Sequence, residues 1–250
     1  ATDRDFAVGQ LARQQSAEVP DRSVAGAKSW LAHSSVDRHT AILPWNAADE
    51  VAKVSPVTAS HRYLEHLVDA WNRTFPDAPL DQQQVVLTVP ASFDASAREL
   101  TREAAVAAGL SGNFVLLEEP QAAVYAWLVD QQELWRKQMA VDDGLLVCDV
   151  GGGTTDLTLI DVAQQYGELL LQRLAVGNHL LVGGDNMDLA LAHFVAGQFQ
   201  QQGIALDPWQ AVSLWHACRG AKETMLAEGG PASHKISVLG RGSRLIGGTV

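Results

Sequence analysis

The 250-residue sequence contains only two cysteines, Cys148 and Cys218, and no apolar run of transmembrane length. Both cysteines stand inside apolar segments, which favours buried free thiols in a reducing compartment over a disulfide. Because the N-terminus also lacks a signal pattern, we expect a cytoplasmic chain with no membrane partner. Positive charge is scarce too, since 18 Lys and Arg stand against 29 Asp and Glu. The resulting net charge of −11 argues against a nucleic-acid partner.

The composition is that of a folded protein, and the two ends of the chain predict a piece of a longer one. Hydrophobic residues make up 47% of the chain and charged residues 19%, which excludes a disordered class. The length suffices for one large or two modest domains. The chain does not begin with Met, and its last residues, SRLIGGTV, are typical of a strand without its partner. We therefore expect a piece excised from a longer protein.

Helical and strand patterns alternate along the chain, which predicts an α/β fold with parallel and antiparallel strand neighbours. The last predicted helix carries Trp209, Val212, Trp215 and Met225 largely on one face. Predicted helices cover 59–75, 94–109, 120–135, 186–202 and 208–227. Predicted strands cover 85–89, 115–117, the two arms of 145–160, 168–176, 234–239 and 243–246, the last pair turning at 240–242.

The most informative segment is LLVCDVGGGTTDLTLI, residues 145–160. Three glycines join two apolar strands, and we expect them to take φ > 0 and to let a ligand approach the main chain. Successive N–H groups in such a turn bind anions, and the flanking carboxylates and hydroxyls suit Mg²⁺. Three glycines alone also fit an ordinary hairpin. With Asp149 before them and Thr154 and Asp156 after, a metal–triphosphate site becomes the better interpretation.

Several segments in order resemble one known family, the 70-kDa heat-shock chaperones (DnaK-type, heat shock protein 70 family). They are AGAKSWLAH, VVLTVPASFDASARELTREAAVAAGL, LLEEPQAAVYAWL, the glycine segment and VGGDNMDLALAHF. The resemblance runs from about Lys28 to Lys222 and covers the nucleotide-binding domain. It implies a ribonuclease-H-like, actin-like ATPase fold, truncated at both ends. The pairing of TVPASFD with EEPQAA points to the chaperone branch of that superfamily.

The resemblance implies catalytic roles for Lys28, Glu119 and Thr154. Lys28 matches the family's lysine near the γ-phosphate, where a cation offsets charge in the transition state. Glu119 matches a glutamate near the attacking water, and Thr154 would touch the γ-phosphate. Taken alone, Lys28 also fits a solvated surface lysine, and Glu119 fits an acid that complements a helix dipole.

The resemblance also implies binding and switching roles. Pro90 and Arg98 match the switch that couples nucleotide state to the peptide-binding domain, although Pro90 also suits a plain strand end. Magnesium, mostly through water, would be held by Asp149 and Asp156. ATP or ADP would be bound by Gly151, Gly152, Gly153, Thr154, Gly183, Gly184 and Lys222.

One motif departs from the family. In HACRGAKETM the family usually has an acidic residue where Arg219 stands and a basic one where Glu223 stands. Only Lys222 follows the pattern at the adenine edge, so the adenosine contacts of this chain are in question.

The resemblance implies part of an ATP-hydrolysing chaperone that couples Mg-ATP hydrolysis to binding of unfolded polypeptide clients, with co-chaperones acting through missing regions. We expect the fragment alone to be inactive and to self-associate, because the first phosphate loop and the later adenosine loop are missing. Two alternatives remain: a divergent family member with little hydrolysis, and a small-molecule kinase of the same superfamily. The expected division is 1–55 (lobe I insert), 56–139 (lobe I core), 140–182 (lobe II core meander) and 183–250 (lobe II insert), each in part.

Overall fold

The computed structural model describes residues 5–16, 19–33, 35–45, 47–178, 180–239 and 245–249. The chain divides into two compact units. The central unit comprises residues 26–40 and 55–182, and the flanking unit comprises 1–25, 41–54 and 183–250. The division into parts of two lobes stays a prediction.

Helices and strands alternate along the chain, which confirms the α/β class. The helices are α1 (Gln10–Ser16), α2 (Ala27–Ala32), α3 (Pro56–Thr74), α4 (Ala95–Ala107), α5 (Glu119–Gln131), α6 (Trp135–Gln138), α7 (Gly184–Gln201) and α8 (Pro208–Leu226). The strands are β1 (Val86–Val89), β2 (Val115–Glu118), β3 (Gly144–Val150), β4 (Thr155–Gln165), β5 (Glu168–Val176), β6 (Lys235–Leu239) and β7 (Leu245–Thr249). No helix within the described ranges is both long and apolar enough to cross a membrane.

Local sequence sets the ends of the central unit's helices. The Asp94 carboxylate caps α4 by accepting a hydrogen bond from the Ala97 N–H at 2.6 Å. Gly109 stands just past the end of α4 with φ of +93°, as a C-terminal glycine should. The prediction that one helix runs through Trp135 is wrong. The helix α5 ends at Gln131, where Gln132 takes φ of 50°, and α6 begins separately at Trp135.

The core of the central unit lies between helices and a parallel strand pair. β1 and β2 pair in parallel, with Val89 opposite Glu118 at their carboxyl ends. One core cluster is built from buried residues of α2, α3, β1 and α4, and this arrangement places the starts of α2 and α5 in one compact unit. Its members are Leu31, Val57, Val89, Phe93, Ala97, Leu100 and Ala104.

The predicted antiparallel meander is confirmed. β4 pairs with β3 on one side and with β5 on the other, with a register irregularity at Leu159/Ile160. The side chains of β3 alternate between exposed and half-buried positions. Cys148 falls on the exposed side, so the prediction that both thiols are buried is wrong for this residue and right for Cys218. An apolar neighbourhood in sequence does not fix the face on which a strand residue points.

The flanking unit packs α7, α8 and β6 around its own core. Buried members of this core come from both helices and the strand, and they are Ala192, Val195, Phe199, Leu214, Cys218, Ala221, Ile236 and Val238. Of the residues predicted to share one face of α8, Trp215 packs against this core and Val212 is 36% exposed, while Cys218 and Ala221 are fully buried. β6 and β7 pair antiparallel as predicted, while the predicted turn at 240–242 lies outside the described residues.

Replacing Asp94 by Ala should lower the free energy of unfolding by about 1 kcal/mol at pH 7, because α4 loses its cap. The hydrogen bond from the Ala97 N–H lowers the pKa of the Asp94 carboxyl below its usual value. This stabilisation is present above the unfolded pKa of about 3.9 and is lost as pH falls through the lower, folded pKa. Urea unfolding at pH 7 and pH 3 measures it. Asp94→Asn, which keeps a capping oxygen, is the control, and equal losses in both variants would contradict the cap.

Candidate functional site

The structure brings Lys28 and Glu119 together in the central unit. Lys28 lies in the first turn of α2, which begins after Gly26 in the left-handed conformation (φ 66°). Glu119 is the first residue of α5, directly after β2. The Lys28 Nζ and a Glu119 carboxylate oxygen are 2.6 Å apart, although 91 positions separate the residues. The lysine side chain is 55% exposed and the glutamate 19% exposed, so the pair borders solvent.

The glycine turn connects β3 to β4 without left-handed backbone. The Gly151 N–H donates to the Thr154 carbonyl at 2.8 Å and closes the turn. Glycines with positive φ occur at six described positions, and none of Gly151, Gly152 and Gly153 is among them. The prediction of positive φ in this turn is therefore wrong. A Cβ on Gly151 would lie 3.4 Å from the Thr154 carbonyl oxygen, an ordinary contact, so the fold does not itself require glycine there.

Two carboxylates stand opposite each other beside this turn. Asp149 and Asp156 are direct cross-strand partners of β3 and β4. Asp156 is 5% exposed and accepts a hydrogen bond from the Ser92 hydroxyl at 2.9 Å. Like charges directly opposite destabilise a strand pair, and a divalent cation would remove that cost. The described residues hold no cluster of three or more His, Cys, Asp or Glu of metal-binding geometry. A pair of carboxylates completed by water suits Mg²⁺.

The two threonines after the glycines differ in their surroundings. Thr155 donates its hydroxyl hydrogen to the Val182 carbonyl at 2.7 Å, and its backbone forms a bridge with Leu180. This hydroxyl therefore binds the segment that follows β5. Thr154 lies in the turn itself, half-buried.

Pro90 and Arg98 flank the connection from β1 to α4. Pro90 is fully buried, and its carbonyl accepts from the Phe93 N–H at 3.1 Å. Arg98 donates from Nε to the Phe93 carbonyl at 3.1 Å and from Nη2 to Glu118 at 2.8 Å. Because Ser92 of the same turn contacts Asp156, the turn is tied both to β2 and to the glycine hairpin.

Gly183, Gly184 and Lys222 lie in the flanking unit, at the start of α7 and on α8. Lys222 Nζ lies 2.6 Å from a carboxylate oxygen of the fully buried Asp188 and donates to the Gly184 carbonyl at 3.1 Å. The lysine therefore ties α8 to the first turns of α7.

Arg219 and Glu223, the two departures from the family motif, face each other on α8. The Arg219 Nε lies 3.3 Å from Glu223, and Arg219 Nη1 lies 3.4 Å from Asp185. Glu223 also pairs with Arg13 of α1. Nearby, burial raises the pKa of the Cys218 thiol to about 11, with the Asp188 charge adding to the effect. This thiol is therefore protonated and unreactive at neutral pH.

Sequence reasoning missed four residues of these networks. Glu118 stands beside Glu119 in the quoted EEPQAA, but nothing local shows that Arg173, 55 positions later, pairs with it. Ser92 falls in the quoted TVPASFD segment, and its contact with Asp156 spans 64 positions. Asp188 falls in the quoted VGGDNMD segment, and no sequence pattern shows that it is buried.

Comparison with known proteins assigns the class and then the family. The family model described as "Hsp70 protein" matches residues 2–237. The chain is also similar to the "Chaperone protein HscA homolog" of Acinetobacter baylyi (strain ATCC 33305 / BD413 / ADP1). The two are 31% identical over 215 residues, which are 82% of this chain and 32% of that protein. The mixed α/β chain is thus an incomplete domain of the actin-like ATPase class.

The chain belongs to the Hsp70 family, as the ordered motifs predicted. The family assignment favours the chaperone branch over a small-molecule kinase of the same superfamily. The chain covers 32% of the length of this curated relative, or about a third.

Proposed function

We propose that the chain is part of the ATP-binding and ATP-hydrolysing domain of a DnaK-type chaperone. In this proposal Mg-ATP hydrolysis is coupled to polypeptide binding by a region outside the chain. The observation that carries it is the 2.6 Å contact between Lys28 and Glu119. Two residues assigned to one reaction from separate motifs meet at the solvent-facing starts of α2 and α5.

Lys28 and Glu119 have complementary chemistry for phosphoryl transfer. An ammonium group at the reacting phosphate offsets the charge that develops in the transition state. A carboxylate can orient the attacking water and accept its proton. The two side chains contact each other at the boundary with solvent. Thr154, at the end of the glycine turn, is assigned a hydrogen bond to the γ-phosphate.

The glycine hairpin is the assigned site for the metal and phosphates. When bound, Mg²⁺ would neutralise phosphate charge, and Asp149 and Asp156 would hold it mostly through water. The cross-strand approach of these two carboxylates supports this role. Gly151, Gly152 and Gly153 leave the main chain accessible to an anion. Gly183, Gly184 and Lys222 are assigned to the remainder of the nucleotide.

Pro90 and Arg98 are assigned to coupling between nucleotide state and the polypeptide-binding region. The support is that their turn contacts the metal-site carboxylate through Ser92 and reaches β2 through Arg98. The proposed partners are unfolded polypeptides and co-chaperones. The exposed free thiol of Cys148 supports a reducing compartment such as the cytoplasm.

A second candidate is a divergent family member that binds nucleotide or a partner but hydrolyses ATP slowly. The observation that favours it lies in the flanking unit. Lys222 is engaged by buried Asp188, and Glu223 is engaged by two arginines. These side chains are held by ion pairs within the chain.

Calorimetric titration with Mg-ATP tests the proposal. The full-length protein should bind it, and Gly152→Val should abolish binding because a side chain would block approach to the backbone. The 250-residue chain alone should bind weakly and hydrolyse nothing, since phosphoryl transfer needs groups from several directions at once.

The backbone geometry sharpens this test. Since Gly152 does not have positive φ, valine there meets no left-handed backbone penalty. Lost binding with a retained fold then reports on the ligand contact. Circular dichroism of the variant is the control for folding. Unchanged affinity in Gly152→Val, or micromolar binding by the isolated chain, would show the assignment wrong.

A further inference from the structure

The two adjacent glutamates at the start of α5 have different partners. Glu119 pairs with Lys28, whereas Glu118 pairs with two arginines. One Glu118 carboxylate oxygen accepts from Arg98 Nη2 at 2.8 Å, and the other accepts from Arg173 Nη1. Because each oxygen has its own guanidinium, both the position and the plane of this carboxylate are fixed.

The Glu118 carboxylate is largely buried, at 14% exposure, while Arg98 is 29% exposed and Arg173 43%. An exposed ion pair contributes little because solvent screens it and both side chains lose freedom. A mostly buried acid with two cationic donors is held more strongly than an exposed pair, and loss of the acid removes the carboxylate partner of both arginines. This cluster of Glu118, Arg98 and Arg173 is called the arginine clamp below.

The arginine clamp acts at the junction between strand and helix. Glu118 is the last residue of β2 and also the N-cap of α5, with an extended backbone (φ −71°, ψ 135°). Its side chain makes no capping hydrogen bond to the helix, so its carboxylate serves the two arginines. Consecutive Cα atoms are only about 3.8 Å apart. Any rotation of the Glu118 backbone therefore displaces Glu119 against Lys28.

The arginine clamp also joins elements that no β ladder connects in the described structure. β2 pairs with β1, whereas β5, which carries Arg173, belongs to the three-stranded sheet. Arg98 comes from α4. One carboxylate thus fixes the start of α5 against a helix on one side and the second sheet on the other.

We propose that Glu118, held by Arg98 and Arg173, is a positioning residue that sets the orientation of Glu119 toward Lys28. The expected effect on turnover rests on the proposed function, whereas the orientation of Glu119 toward Lys28 does not. Glu118 makes no contact with the reacting groups, and its influence passes through the backbone to its neighbour. A misplacement of about 1 Å at a catalytic group can cost about 100-fold in rate.

Glu118→Gln and Arg173→Met in the full-length protein test the arginine clamp from its two sides. Each should lower kcat about tenfold with KM for ATP unchanged, since Glu119 is displaced in the reaction step and not in binding. Each should also raise, several-fold, the rate at which an N-hydroxysuccinimide ester acylates Lys28, measured by peptide mass spectrometry. The matched control is Glu168→Gln, which removes the exposed contact of Arg136 with β5 (3.2 Å) and should change neither quantity.

The outcomes separate the two claims. Unchanged Lys28 acylation in both variants overturns the positioning role, whatever the turnover. A wild-type protein that hydrolyses no ATP overturns the proposed function, and Lys28 acylation then decides the positioning role alone. If Glu118→Gln fails to fold, Arg173→Met decides, because Arg173 is the more exposed member of the clamp.

Discussion

Lys28→Ala in the full-length protein should lower kcat for ATP hydrolysis by about 100- to 1,000-fold while ATP affinity changes little. Removal of one charged group that stabilises a transition state typically costs this much. Lys28 is assigned to charge that develops during transfer, so kcat falls and binding of the ground state does not. Glu119→Ala should give a loss of the same order, because the water is no longer oriented. Single-turnover hydrolysis and calorimetry measure the two quantities separately.

Lys137 provides the control for Lys28. It is another exposed lysine of the central unit, on α6, and Lys137→Ala should leave both kcat and affinity unchanged. Combining Lys28→Ala with Glu119→Ala should cost less than the product of the single losses, since the side chains form one contact. A wild-type rate of ATP hydrolysis in Lys28→Ala would show that Lys28 is not catalytic.

Asp188→Ala should destabilise the flanking unit by about 3–5 kcal/mol, the typical cost of removing one partner of a buried ion pair. Asp188 is fully buried, and it is the carboxylate partner of the 19% exposed Lys222 side chain. Its loss leaves a largely buried ammonium that keeps its hydrogen bond to the Gly184 carbonyl but has no carboxylate partner in place of Asp188. Because the chain has two compact units, amide hydrogen exchange of α7 and α8 is the appropriate measurement.

Asp185→Ala is the matched control for Asp188→Ala. Asp185 lies on the same helix and pairs with Arg219, but its side chain is 33% exposed. Exposed pairs contribute about 0–1 kcal/mol, so protection in α7 and α8 should change little. The double variant Asp188→Leu with Lys222→Met should recover much of the stability, since both charges are removed together. Equal losses for Asp185→Ala and Asp188→Ala would contradict the burial argument.

The parts of the fold that were predictable are those that neighbouring residues decide. Asp94 and Gly109 mark the two ends of α4, because a cap and a left-handed turn depend on one or two positions. The end of α5 was missed since Gln132 takes positive φ where neither Gly nor Pro marks a break. The sequence does not predict which residues of α8 are buried, because tertiary packing places the small Cys218 and Ala221 inside.

In the candidate site, too, local features are predictable from the sequence and long-range contacts are not. The glycine hairpin is local, and its strands and the pairing of its two aspartates follow from a turn between apolar runs. The contact between Lys28 and Glu119 spans 91 positions and could be expected only through the resemblance to a family. The family resemblance does not predict the arginine clamp, because Glu118 and Arg173 lie on strands of two different sheets. Long-range ion pairs leave no periodic signal in a sequence.

The unequal surroundings of the two thiols give this chain a built-in attachment point for a spectroscopic probe. Cys148 is exposed on β3, one residue before Asp149, whereas Cys218 is buried with a pKa raised to about 11. A maleimide fluorophore should therefore attach at Cys148 and leave Cys218 untouched. The dye would lie one residue from the carboxylate assigned to magnesium, on the opposite face of β3, so its emission would report changes in the hairpin without any engineered mutation.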